Sequence, residues 1–255
     1  MLGPSGKMGR AVLEAAASRP ELRVTAAVDR PDATGLGAEI APGVTSIADI
    51  AFGLDAADVY IDFTQPAATR ATAIAATSRR MAAVIGTTGL TAADEEAIAA
   101  LVQVAPVVVS ANFSLGVNLM LGLVKRAARA LGPDWDAEVV ETHHKAKRDA
   151  PSGTALAIAR AIASGHGSDY DRVKRHARDG EIGPRPRGEI GVSTVRGGDV
   201  VGEHTAFFFG AAERIEISHR ATSRGIFAAG ALRAAAWVVG KPPGRYDMLD
   251  VLDLA

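Results

Sequence analysis

The chain has 255 residues, 48% hydrophobic and 22% charged, with a formal net charge of −1 and no cysteine. That length accommodates one large domain or two smaller ones, and the near-neutral balance gives no global field towards nucleic acid or an anionic membrane. The missing cysteines exclude disulfides, thiolate catalysis and cysteine-ligated metal, which suits a reducing cytoplasm.

The opening, Gly3-Pro4-Ser5-Gly6-Lys7-Met8-Gly9, has only Met1 and Leu2 before it. A dinucleotide-binding fold places a buried strand there, so a truncated first strand is expected. No secretory leader pattern opens the chain, and no apolar run nears the roughly 20 residues that span a bilayer. Arg10 to Ser18 predicts a helix ended by Pro20, and Leu22 to Val28 a strand buried on both faces. Val59 to Phe63 predicts a strand, Pro66 to Ser78 a helix with proline in its first turn, and Met81 to Ile85 a strand ending in G-T-T-G. Thr91 to Val102 carries a helix-start signature, a threonine cap followed by acids. Val107 to Val109 is a strand running into S-A-N-F.

This alternation reads as a doubly wound parallel sheet of the α/β class. Its strand-end loops, Gly86 to Gly89 and Ser110 to Phe113, are expected along the edge where such sheets bind ligands. The pattern then changes to an α+β region. Leu115 to Leu131 predicts a long helix, Glu138 to His143 a strand, and Ser152 to Ala163 a helix. Residues 165–188 are polar and aperiodic. Glu189 to Val195, Val200 to Phe209 and Arg214 to Ser218 are strand-like without helices between them, so antiparallel pairing is expected. Ser223 to Val239 is the last helix. The expected domains are 1–113 with 224–255, and 114–223.

Two groups of residues carry chemistry. The three-residue glycine spacing lets the backbone approach a pyrophosphate at a helix N-terminus. Asp29, about 20 residues on and at a strand end, can accept from ribose hydroxyls. Arg30 beside it can pair with a 2′-phosphate, or is a solvated loop charge; NADH and NADPH both stay open. The second group is E-T-H-H-K-A-K-R-D-A-P-S-G-T, Glu141 to Thr154, which holds two of the chain's six lysines. Lys147 lies four residues after His143 and can return to the same pocket. Ser152 caps the following helix, leaving the Gly153 and Thr154 amides as donors suited to a carboxylate. Together these groups imply anion binding, proton delivery and reduction of a small anionic substrate.

Competing readings fall short. Zinc needs three or four suitably spaced ligands, and His166, His176, His204 and His219 are scattered, so no metal is expected. Tyr170 and Lys174 mimic the Y-x-x-x-K pair that short-chain dehydrogenases carry on a helix with a serine upstream, but they follow S-G-H-G-S-D in a Gly/Asp-rich stretch past the doubly wound part, and a loop start is expected there. Arg172 to Arg187 is basic but contains Asp171, Asp179 and Glu181 nearby or within it and lacks aromatic residues to stack on bases; a solvated loop is expected.

At these residues the chain resembles the 4-hydroxy-tetrahydrodipicolinate reductase family (dihydrodipicolinate reductase) of lysine and diaminopimelate biosynthesis. The resemblance runs nearly end to end: G-P-S-G-K-M-G-R, V-I-G-T-T-G, A-N-F-S-L-G-V, the Glu141 to Thr154 run with A-L after it, R-G-G-D-V-V-G-E-H-T, and Y-D-M-L-D-V-L-D-L. It implies an NADH- and/or NADPH-dependent reductase with His143 as acid/base and Lys147 as its cationic partner. It implies that His144, Gly153 and Thr154 hold the carboxylates of a cyclic imine. Gly3, Pro4, Ser5, Gly6, Lys7, Met8, Asp29, Arg30, Gly86, Thr87, Thr88, Ser110, Ala111, Asn112 and Phe113 would line the cofactor, and Arg224 the interdomain hinge. A cytoplasmic homotetramer joined through the second domain is implied, with a cleft that closes over the substrate. Family members often have Glu where Asp29 stands. Two other classes remain: a redox-sensing dinucleotide-binding module, and another two-domain nicotinamide enzyme such as an amino-acid dehydrogenase.

Overall fold

The computed structural model describes residues 1–223 and 225–254; the hinge expectation at Arg224 lies outside them. The chain forms two compact units, Met1–Leu115 with Gly225–Leu254, and Gly116–Arg224. In chain order the elements are α1 (Lys7–Ala16), β1 (Ala27–Val28), β2 (Glu39–Ala41), β3 (Val44–Ile47), α2 (Ile50–Asp55), β4 (Val59–Asp62), α3 (Pro66–Thr77), β5 (Ala82–Ile85), α4 (Ala92–Val102) and β6 (Pro106–Val109). Then follow α5 (Leu115–Leu131), β7 (Asp136–His143), α6 (Gly153–His166), α7 (Tyr170–Val173), β8 (Lys174–Arg175), β9 (Ile190–Arg196), β10 (Gly202–Phe209) and β11 (Arg214–Ala221). The last are α8 (Gly225–Val238), β12 (Gly244–Tyr246) and α9 (Met248–Val251). Among the described residues no helix is long and apolar enough to cross a membrane.

The first unit is a parallel sheet with helices on both faces. Strands β12, β6, β5 and β4 pair in that order, all parallel, and β1 pairs parallel with β3. Leu2 bridges the two sets, with single parallel contacts to Val28 and Asp62. Its amide donates to the Ile61 carbonyl at 3.0 Å, and the Gly3 amide donates to that of Val28 at 2.8 Å. The order of strands reverses at Leu2, which makes this the switch point where doubly wound sheets open a ligand crevice. The central strands β5 and β6 are buried nearly throughout because both faces are covered. One face packs Val12, Val84, Val108 and Leu232 with the alanines of α8; the other packs Leu54, Ile85, Ile98 and Leu101.

Two expectations are corrected here. Leu22 to Val28 is not a seven-residue strand, since only Ala27 and Val28 pair. The first helix starts at Lys7 rather than Arg10, so Lys7 and Met8 belong to its first turn.

The second unit is a mixed, mostly antiparallel sheet ordered β11-β10-β7-β9-β8. Strand β10 runs antiparallel to both β11 and β7. Strand β9, expected to pair antiparallel with its successor, instead pairs parallel with β7. The cause is β7, which inserts between β9 and β10 and leaves them no common edge. Helices α5 and α6 cover one face, packing Met120, Val124, Ile158 and Ile162 onto Val139, Ile190 and Phe208.

The basic stretch before β9 is tied to this sheet. Arg178 donates to both Glu138 oxygens at 3.0 and 2.7 Å and to Glu189 at 2.6 Å. Arg185 reaches Asp136, Glu138 and the Ala137 and Glu189 carbonyls. These arginines neutralise acids on β7 and just before β9, a structural use of the charge. Tyr170 begins α7 rather than a loop, with its hydroxyl 2.8 Å from His176 Nε2, and Lys174 pairs with Asp171. Tyr170 is therefore part of the packing, while Lys174 is exposed.

Candidate active site

In the first unit, the glycine loop is shaped by close approach. Gly3 has φ +64°, a left-handed conformation that glycine adopts without cost. A Cβ on Gly9 would lie 2.1 Å from the Gly3 carbonyl oxygen, so α1 packs against the loop only because that position has no side chain. Asp29, at the end of β1, turns back to this loop: Oδ2 accepts from the Ser5 amide at 3.0 Å and from the Ser5 hydroxyl, and Oδ1 from the Arg30 amide at 2.9 Å. Burial pushes the Asp29 carboxyl up, but these donors outweigh it and hold it below the usual range. Arg30 is exposed and pairs with Asp32 at 3.1 Å. A pair so exposed is worth at most about 1 kcal/mol, which leaves the guanidinium available to a phosphate.

A cavity of about 560 Å³ opens at the switch point, lined by Gly3, Ser5, Gly6, Asp29, Arg30 and Thr64 among others. Its size suits a nucleotide portion of a dinucleotide, and backbone flanked by glycines at a helix start suits the pyrophosphate. The residues present therefore fit the group. Pro4 is buried, and Lys7 is exposed on α1.

Gly86, Thr87 and Thr88 follow β5. A Cβ on Gly86 would strike the Phe63 ring at 2.0 Å. Buried Asp62 joins this loop to the one after β4, accepting from the Thr87 hydroxyl at 3.2 Å and the Thr64 amide at 2.8 Å. Ser110 to Asn112 closes on itself, with the Ser110 hydroxyl donating to the Asn112 carbonyl at 2.8 Å. Ala111 is exposed at its tip. The Phe113 side chain does not line the crevice. It is 1% exposed and packs edge-on to Phe63, ring centroids 5.4 Å apart, because the apolar ring completes the core under α8.

In the second unit, β7 alternates strictly, burying Ala137, Val139, Glu141 and His143 on one face. The face starts in the apolar core and ends in polar groups. Flanking β10 buries Gly202 and His204 beside them, and β9 supplies Thr194 and Arg196, with Thr194 opposite Glu141 and Arg196 opposite His143. Glu141 has no exposed surface. Its Oε1 accepts from the Ser152 amide at 3.0 Å, Arg196 Nη2 at 2.9 Å and the Thr194 hydroxyl at 3.2 Å. Its Oε2 accepts from Arg196 Nη1 at 2.8 Å and meets His143 Nδ1. Burial would push this carboxyl up; Arg196, His143 and the Ser152 amide outweigh it and hold it at about 2.

His204 stands edge-on to His143, centroids 5.1 Å apart, with Nε2 3.2 Å from the Ser152 hydroxyl. Burial first, then the charge of His143, lower His204 to about 4, so it is neutral at pH 7. A Cβ on Gly202 would lie 3.0 Å from His143 Nε2, which marks that nitrogen's side as the one kept clear.

Past β7 the chain turns tightly. The His144 amide donates to the Val200 carbonyl at 2.8 Å, and the Lys147 amide to that of His144 at 3.1 Å. Lys147 Nζ meets both Asp149 oxygens at 2.9 Å. Ser152 caps α6 as expected, accepting from the Ala155 amide at 3.1 Å. Gly153 begins that helix, and a Cβ there would meet nothing within 4 Å, so the space above it is open. Thr154 follows in the first turn. The expected second-unit residues thus gather at one end of one sheet. Glu141, Arg196, Gly202 and His204 join them; sequence reasoning assigned them no role, although Glu141 lies two strand positions from His143 on the same face.

Comparisons with known proteins agree with this geometry. Residues 1–113 match the family model "Dihydrodipicolinate reductase, N-terminus" and residues 116–252 match "Dihydrodipicolinate reductase, C-terminus". The chain belongs to the dihydrodipicolinate reductase family. It is 47% identical to a 4-hydroxy-tetrahydrodipicolinate reductase of Alkalilimnicola ehrlichii, covering 100% of this chain and 98% of the relative. It is 46% identical to one of Anaeromyxobacter dehalogenans, covering 99% and 96%. Among solved structures it is similar to the dipicolinate-bound dihydrodipicolinate reductase of Paenisporosarcina sp. TG-14, with TM-score 0.81, 25% identity and coverage of 98% and 96%. A probable dehydrogenase of Thermotoga maritima, 12% identical with TM-score 0.64, shares the fold.

Proposed function

We propose that His143 is the proton donor, and Lys147 its cationic partner, in the reaction of this family. The activity is NAD(P)H-dependent reduction of 4-hydroxy-tetrahydrodipicolinate to tetrahydrodipicolinate with loss of water, a step of lysine and diaminopimelate biosynthesis. The observation that carries the site assignment is Glu141. One carboxylate meets the His143 ring and the Ser152 amide, so the acid and the start of α6 lie within its width.

The substrate is a ring with two carboxylates. His144 and the amides of Gly153 and Thr154 hold one of them at the positive end of α6. The dipicolinate bound by the Paenisporosarcina relative is a planar dicarboxylate of the same outline. Gly3 to Met8, Asp29, Arg30, Gly86 to Thr88 and Ser110 to Asn112 hold the nicotinamide cofactor. Loss of the substrate's hydroxyl as water leaves a conjugated ring, and the cofactor, when bound, would supply the hydride that adds to that ring at C4. Electron density then moves towards the ring nitrogen, and His143 gives up a proton, a contribution typically about 10²- to 10⁴-fold in rate. Lys147 stabilises the developing negative charge, exchanging Asp149 for the substrate.

The expected domain roles follow: 1–113 with 224–255 binds the cofactor, and 114–223 binds substrate and assembles the oligomer. The sheet face away from α5 and α6 carries the stacked Phe207 and Phe209 rings, 5.7 Å apart, and exposed Val195. This supports a homotetramer built on that face. A cytoplasmic location suits the absence of cysteine. The test is a coupled assay in which the substrate is made in situ from pyruvate and aspartate semialdehyde, with NADH and NADPH followed by absorbance. Cofactor oxidation that requires both precursors is expected; cofactor binding without oxidation would return the chain to a sensing module.

A further inference from the structure

We propose that Glu141, clamped by Arg196, is the positioning residue that sets which nitrogen of His143 delivers the proton. The inference rests on His143 being the acid. An ionised carboxylate can only accept hydrogen bonds. Glu141 is fully buried and is surrounded by five donors: two Arg196 nitrogens, the Ser152 amide, the Thr194 hydroxyl and His143 Nδ1. With that many donors, two of them from a guanidinium, the carboxylate is ionised and Nδ1 must carry hydrogen. Nε2 is then the nitrogen left to exchange protons with substrate. Gly202 keeps the approach to it clear, since a Cβ there would lie 3.0 Å away.

The step balances simply. The Nε2–H bond of the imidazolium breaks, the proton passes to the substrate, and the electron pair stays on Nε2. The ring is left neutral with its hydrogen still on Nδ1. Arg196 meets both Glu141 oxygens, so much of the negative charge is neutralised and the hold on the ring is chiefly geometric. Through Oε1 the same carboxylate fixes the Ser152 amide. The acid and the helix end proposed to bind carboxylate are thereby held in one register, as supporting groups hold a metal-bound histidine.

A purely structural ion pair would leave the tautomer of His143 indifferent to Glu141. The experiment is ¹⁵N NMR of the full chain labelled at histidine and saturated with NADP⁺, with the His143 signals assigned by their loss in His143→Gln. Neutral His143 in the unsubstituted protein is expected to carry hydrogen on Nδ1. In Glu141→Gln the hydrogen should redistribute towards Nε2, and kcat should fall at least about 10-fold with KM changed much less. Hydrogen on Nε2 in the unsubstituted protein, or an unchanged tautomer and kcat in Glu141→Gln, would overturn the proposal. Should Glu141→Gln not fold, the unsubstituted spectrum still decides. Full turnover in His143→Gln would instead remove the acid assignment; loss there with full turnover in Glu141→Gln removes only the positioning role.

Discussion

Gly202→Ala probes the site without removing any functional group. Gly202 opens β10 with its backbone outside the left-handed region, so alanine suits the strand. The added carbon would lie 3.0 Å from His143 Nε2 and 3.3 Å from Cδ2. Comfortable contact between such atoms begins at about 3.5 Å, so the ring must give way by roughly half an ångström. It has little room, because His204 stands edge-on to it and Glu141 holds Nδ1. A misplacement of about 1 Å can cost 10²-fold in rate, so a shift of half that size predicts a loss in kcat of about 10-fold. Stability should change by less than about 1 kcal/mol, because the position is at a strand end. The coupled assay gives the first number and thermal unfolding the second. Full turnover with a folded Gly202→Ala protein would refute the claim that Nε2 needs this space.

Three further outcomes are expected. Asp29→Ala should raise the KM for NADH more than for NADPH, measured by initial rates with each cofactor; equal effects would refute the ribose role. Lys147→Met should depress kcat by at least about 10-fold in the same assay, and an unchanged rate would remove it from the chemistry. Stability should fall as pH drops from 6.5 towards 4. His204 titrates at about 4 when folded against an ordinary 6.5, so the unfolded chain takes up the proton first. The contribution is complete above pH 6.5 and is lost progressively below it, up to about 3 kcal/mol by pH 4. Denaturant titrations of His204→Gln between pH 7 and 4 should show a shallower slope, the remainder coming from His166 and His219, which burial also lowers. An unchanged slope would contradict the assignment.

The parts of the fold legible in the sequence are those whose pattern is local. Strands β4, β5 and β6 are short apolar runs between turn residues, and the Thr91 to Asp94 capping box announces α4. Ser152 was readable as a cap because serine followed by glycine and an alanine-rich run has few other uses. Leu22 to Val28 misled because apolar continuity does not reveal pairing: only Ala27 and Val28 meet a partner strand, opposite Ser46 and Ile47 of β3, with Leu2 adding a single bridge to Val28. The α9 turn was also encoded locally, by Asp247 and Asp250 capping one another, in a tail where short length hides a helix.

Register between distant strands was not legible. Arg196, Gly202 and His204 surround Glu141 and His143 only because β7 lies between β9 and β10, and nothing local states that order. Phe113 shows the reverse difficulty. It closes a loop expected to line the crevice, yet its ring is drawn into the core by Phe63.

The most direct test measures two properties of His143→Gln on the same sample: kcat in the coupled assay, and dipicolinate affinity by calorimetry with oxidised cofactor present. Proton delivery by this imidazole predicts a kcat lower by about 10² or more, with dipicolinate affinity within roughly threefold of the unsubstituted protein. Turnover that survives the substitution, or falls only as far as dipicolinate binding does, would contradict it.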